Sequence, residues 1–157
     1  MIMWSLYAAL FLLVMLLQTS LFGRLRFFGV KLSLVPVVLV CISAFIGHEA
    51  GGIFSLIAAV VWYLSGAEDG PIFILTMTIS GIAAGFVCDL FSHRFLPTLG
   101  LCLGAILFHE GVVFLMRYYL GTATGTLILW VLKMAGLSLV AWPPCYLLAK
   151  VIRKAGA

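Results

Sequence analysis

The sequence predicts an all-α integral membrane protein, a compact bundle of six transmembrane helices. Three observations carry that expectation. Of the 157 residues, 65% are hydrophobic and 9% are charged, with a mean hydropathy of +1.28. The apolar runs are continuous and about twenty residues long, the length of a helical span; a barrel would show alternating segments of roughly ten. The few charges sit mainly between those runs. Such a composition cannot leave a soluble surface, so the bilayer is the solvent.

The runs lie at approximately 2–22, 32–47, 50–65, 71–91, 97–119 and 126–149. They form a single transmembrane domain, 1–157, because the connections are too short to bury a core of their own. The first contains Leu6 to Leu17, with no basic stretch before it and no small-x-small site after it. It reads as a retained span rather than a signal peptide. The second and third are short and joined by Gly47-His48-Glu49-Ala50, which predicts a tight helical hairpin. The clearest turn is Ser65-Gly66-Ala67-Glu68-Asp69-Gly70-Pro71. Its glycines supply unusual dihedrals, its acids need water, and Pro71 suits a helix start. Pro36 falls early in the second run, and Pro97 opens the fifth. Pro143-Pro144 falls inside the sixth, where lost ladder bonds predict a kink or a break.

The net charge of +4 comes partly from Lys150, Arg153 and Lys154. It reads as topology and headgroup contact, not nucleic-acid binding. An even number of spans puts both termini on one side, and the tail triplet favours the cytoplasm. The segment Gly23 to Lys31 mixes Arg24, Arg26 and Lys31 with Phe27 and Phe28. It is either an interfacial loop, with cations at the headgroups and rings dipped inward, or an ordinary connection. Cys41, Cys88, Cys102 and Cys145 match no CxxC spacing and read as small packing residues.

Two features inside the spans stand out. Gly81 and Gly85 form one GxxxG pair, and Gly100 and Gly104 another. Lipid tails give helices no hydrophobic reason to associate, so small residues that admit close backbone approach mark packing faces. The fourth and fifth spans are therefore expected to pack on each other or on a partner. Glu110 and Lys133 are the second feature. Counted from the connection near Leu120 to Gly125, both lie roughly 12–15 Å deep at 1.5 Å per residue. An intramembrane ion pair follows, because an isolated ion at a helix centre costs about 2.5–3.5 kcal/mol. A polar partner surface or substrate cavity, and a proton or ion relay, stay open for the same two residues. Arg117 lies two turns from Glu110 on the same face.

Catalysis has little support. His48-Glu49 and His109-Glu110 lack HExxH spacing, and no nucleophile motif or phosphate loop occurs. The expectation is a protein that is not an enzyme and carries no cofactor.

Taken in order, the interruptions resemble the rod shape-determining protein MreD family. The first match is Gln18-Thr19-Ser20-Leu21-Phe22-Gly23-Arg24, continuing to Phe28-Gly29-Val30-Lys31. The second is Glu49-Ala50-Gly51-Gly52, opening a short span that ends in Leu64-Ser65-Gly66, then the turn and the span with Gly81 and Gly85. The third is Ala141-Trp142-Pro143-Pro144-Cys145-Tyr146 with the basic tail. The family usually has an acidic residue where this chain has Tyr63-Leu64, and no family motif maps onto Glu110 or Lys133.

The resemblance implies a non-enzymatic scaffold of the bacterial cell-elongation machinery, multi-pass in the cytoplasmic (inner) membrane. It would control rod shape and direct peptidoglycan synthesis. Its implied partners are an MreC-like single-span protein and, directly or indirectly, MreB and the RodA–penicillin-binding transpeptidase complex. The family is also similar in fold to the S components of energy-coupling-factor transporters. The alternative function is thus a small-solute-binding S component. Against it, the first span has Ala8-Ala9 rather than the Ala-x-x-x-Ala docking patch common in S components.

Overall fold

The second apolar run has no charge on any side, and a helix apolar all round must be enclosed. In a computed structural model, which describes residues 2–22, 26–27, 30–31, 33–66, 70–91, 95–121 and 127–156, that enclosure organises the fold. Seven α-helices occur among these residues: α1 (Ile2–Leu17), α2 (Val35–Ile46), α3 (His48–Leu64), α4 (Ile72–Leu90), α5 (Phe95–Tyr119), α6 (Leu127–Val140) and α7 (Trp142–Gly156). Helix α2 is buried continuously from Val35 to Ala44. It is packed by α1, α3, α4, α5 and α7.

By length and composition three helices can cross a membrane: Met3–Ser20, α4 and α5. A fourth is available if α6 and α7 count as one span bent by 42°. The all-α bundle of apolar helices is as expected, but of the six expected spans the second and third, already short in the sequence, fall below that length. Helix α2 has 12 residues, about 18 Å at 1.5 Å each, against a hydrocarbon core of about 30 Å. Helix α3 has 17, also short.

Local chemistry explains the boundaries. After Leu17 the backbone widens into a π-helical turn, Gln18–Phe22. There Thr19 Oγ1 donates to Met15 O at 3.0 Å and Ser20 Oγ to Leu16 O at 2.6 Å, competing with the regular ladder. Arg26–Phe27 and Val30–Lys31 form a two-residue antiparallel ladder, Arg26 opposite Lys31. This ladder falls within the segment Gly23 to Lys31, of which Arg24 and Phe28 lie outside the described residues. The α2–α3 turn is tighter than expected. Gly47 alone makes it, at φ +99°, so α3 already begins at His48. The predicted break in the sixth run falls at Ala141. Pro143 and Pro144 then occupy the first turn of α7, where missing N–H groups remove no intrahelical bond.

The chain entering α2 is held by other elements. Leu34 N–H donates to Gln18 Oε1 at 3.0 Å and Ser33 N–H to Ser138 Oγ at 3.3 Å. Aromatic contacts tie α7 to the bundle: Phe95–Trp142 at 4.6 Å and Phe45–Tyr146 at 5.3 Å between ring centroids. The first and last helices meet where Tyr7 Oη donates to Ala149 O at 3.4 Å.

Leu39 is 1% exposed inside α2, whereas Leu75 on α4 is 63% exposed. Leu39→Ala is therefore expected to lower stability by about 2–5 kcal/mol through lost packing and a residual cavity. Leu75→Ala should lower it by less than about 1 kcal/mol. Thermal unfolding of the two purified variants in one detergent checks the contrast; equal losses would mean that α2 is not the core.

Candidate functional site

Helix α4 uses its glycines inward. A Cβ at Gly85 would lie 2.5 Å from His48 Cα and N and 2.6 Å from Gly47 C. A Cβ at Gly81 would collide with the Ser55 hydroxyl and lie 3.2 Å from Ser43 Oγ. The GxxxG face thus seats the α2–α3 hairpin rather than the fifth span. Ser43 and Ser55 complete the contact, with hydroxyl oxygens 2.9 Å apart, and Ser43 Oγ donates to Gly51 O at 3.3 Å. On α3, Gly52 accommodates Ile82 of α4.

Helix α5 divides differently. Thr98, Cys102, Ala105, Ile106, His109 and Glu110 make its buried face. Gly100 and Gly104 are exposed, and a Cβ at either meets nothing within 4 Å, as at Gly111. At about 100° per residue these three glycines fall within roughly 40° of one another. The second GxxxG pair therefore lies on the outer surface. Helices α4 and α5 do adjoin, but through polar groups: Thr76 Oγ1 to His109 Nδ1 at 2.8 Å and Cys88 Sγ to Thr98 Oγ1 at 3.7 Å. The Thr76 hydroxyl also reaches Ile72 O at 2.9 Å. The hydroxyl has one proton to give, so the tautomer of His109 sets which of the two groups donates. Phe73 packs edge-on to the imidazole at 5.2 Å.

Glu110 is 9% exposed, whereas Lys133 lies on the exposed side of α6. No salt bridge joins them; among the described residues the salt bridges belong to His48. Equal depth was the ground for pairing them, and depth does not fix the direction in which a helical side chain points. Arg117 is exposed near the end of α5. The four cysteines are buried, and none of them forms a disulfide among the described residues. No group of three or more His, Cys, Asp or Glu among the described residues is arranged to hold a metal.

A second polar group lies at the α2–α3 turn. His48 Nδ1 is 3.3 Å from Asp89 Oδ2, and His48 Nε2 is 3.9 Å from Glu49 Oε1. These side chains are 40–88% exposed, so the contacts are solvated and weak as stability terms. Asp89 thus closes α4 against the hairpin that Gly85 admits. Sequence reasoning missed Gln18 and Ser138 as partners of the α2 start, and Thr76 as partner of His109. Their signal was present only as polar residues in apolar runs.

The two glycine pairs give opposite expectations. An alanine in a helix is favoured over glycine by about 1 kcal/mol where space exists. Gly100→Ala and Gly104→Ala should leave thermal stability unchanged or raised. Gly81→Ala and Gly85→Ala should lower it by about 1–3 kcal/mol, because backbone or a serine must move. Detergent melting curves of the four variants read the signs; stable Gly81 and Gly85 variants would refute the inward packing. Comparison of the chain with known protein families, with curated proteins and with solved structures finds no match to any of them.

Proposed function

We propose that this chain is a non-enzymatic scaffold of the bacterial cell-elongation machinery, similar to the MreD family, acting in the cytoplasmic membrane. In this reading six helical segments traverse or line the bilayer, with both termini cytoplasmic. It binds an MreC-like single-span protein, and through the resulting complex influences MreB and the RodA–transpeptidase pair that builds peptidoglycan. One observation carries the binding role. The chain fills its Gly81 and Gly85 face internally but leaves Gly100 and Gly104 open on the longest apolar helix. In lipid, close approach over small residues is a main route to helix association. An open face of this kind suits one further transmembrane helix. The order of motifs from Gln18 to Tyr146 supports the family assignment.

The buried Thr76–His109 contact favours the second reading, a small-solute-binding S component, because polar groups inside a bundle can recognise a solute. Co-purification separates the two. A tagged chain is expected to recover an MreC-like partner from a rod-shaped bacterium. The doubly substituted Gly100→Leu, Gly104→Leu chain should recover at least about tenfold less, a loss of about 1.4 kcal/mol. Recovery of an ATPase pair with a transmembrane coupling subunit would instead favour the solute-binding reading.

A further inference from the structure

We propose that the last turns of α7, together with the end of α2, form a binding site for the headgroup of an anionic phospholipid. Lys150, Arg153 and Lys154 are all exposed. Among the described residues, none of the three forms a salt bridge; of the described carboxylates, Glu49 and Asp89 approach His48 and Glu110 belongs to the buried face of α5. Three neighbouring cations therefore stand without a carboxylate from these residues, and an anion from elsewhere relieves their mutual repulsion.

Geometry makes this more than a charged tail. The inner face of α7 is fixed by burial of Trp142, Cys145, Tyr146 and Ala149. Arg153 follows on the same side, one turn beyond Ala149, and its guanidinium carbon lies 5.9 Å from the Phe45 ring centroid. Stacking on that ring holds the cation at the end of α2 and leaves N–H donors at its edge for phosphate oxygens. Lys150 and Lys154 are one turn apart and project from one side of α7.

The neighbours of these lysines identify the anion. Leu147 and Val151, each three residues before a lysine, are 57% and 61% exposed. An apolar surface next to ammonium groups matches a molecule that joins acyl chains to a phosphate. A soluble phosphate would use only the cations, and an acidic peptide would leave the apolar surface in water. The end of an apolar helix is also where headgroups lie, and basic residues there attract anionic lipid with about 1 kcal/mol each, roughly fivefold in affinity.

The test uses the full chain in nanodiscs of equal parts phosphatidylglycerol and phosphatidylcholine. Lipid that stays bound after gentle detergent extraction is counted by native mass spectrometry. Phosphatidylglycerol is expected to exceed phosphatidylcholine by about tenfold or more at low salt, falling as salt rises. The Lys150→Gln, Arg153→Gln, Lys154→Gln chain should bring the ratio close to one. A wild-type ratio near one, or an enriched ratio that survives the triple substitution, overturns the proposal. If the triple variant fails to fold, Lys154→Gln alone is expected to reduce the ratio by about fivefold, and an unchanged ratio counts against the site equally.

Discussion

Enclosure of α2 is the constraint on which the rest of this structure depends. A helix apolar on every side gains nothing from a choice of face, so its neighbours must supply all its contacts. It is also too short to bring both ends to water across a membrane. Its terminal peptide groups need partners within the protein, since hydrocarbon offers none. Gln18 and Ser138 supply them at the start, one from the end of α1 and one from α6. Gly47 supplies the other end by turning the chain at once into α3 while its N–H bonds Ser43 O. The π-helical turn at Gln18 thus belongs to the same requirement, because it is where the side chain that reaches Leu34 is presented.

A hairpin folded that tightly demands thin neighbours. Beside Gly47 and His48 the backbone of α4 comes so close that Gly85 has no room for a Cβ. One turn earlier the serines of α2 and α3 occupy the space a side chain at Gly81 would need. The hydroxyls are then within hydrogen-bond distance of each other, so close packing and polar satisfaction are obtained by the same small residues. This is how a bundle without a hydrophobic gain between its helices keeps three of them in contact.

Much of this was legible along the chain and less of it across the chain. The break just ahead of Pro143-Pro144 and the hairpin at Gly47 follow from backbone chemistry that the residues carry with them. Gly81 and Gly85 announced a packing face, but the spacing could not say that the hairpin, rather than α5, would fill it. Glu110 and Lys133 were matched by depth, a one-dimensional quantity, whereas contact also depends on rotation about each helix axis. Lys133 turns outward, and the contact made beside Glu110 is that of His109 with Thr76. Nor could apolar length distinguish a helix that meets lipid from one that meets only protein. Helix α2 and the outer side of α5 are both apolar, and the positions of other helices decide which of them is enclosed.

Helix α5 brings these arguments together. Toward the bundle it presents Thr98, Cys102 and His109, groups that find hydrogen-bond partners on α4 or α2. Away from it, three open glycines share one side with Leu96 and Leu115, which are 76% and 54% exposed. These three groups lie on the side where partners are built in, as hydrocarbon requires. Glycine has the opposite distribution from what intrinsic helix stability would favour, since each exposed one forgoes about 1 kcal/mol relative to alanine. Among the described residues no close contact offsets that loss. A helix packed across the Gly100–Gly104 side would offset it in the way the hairpin does at Gly81 and Gly85, and the same short list of residues would then serve both folding and assembly.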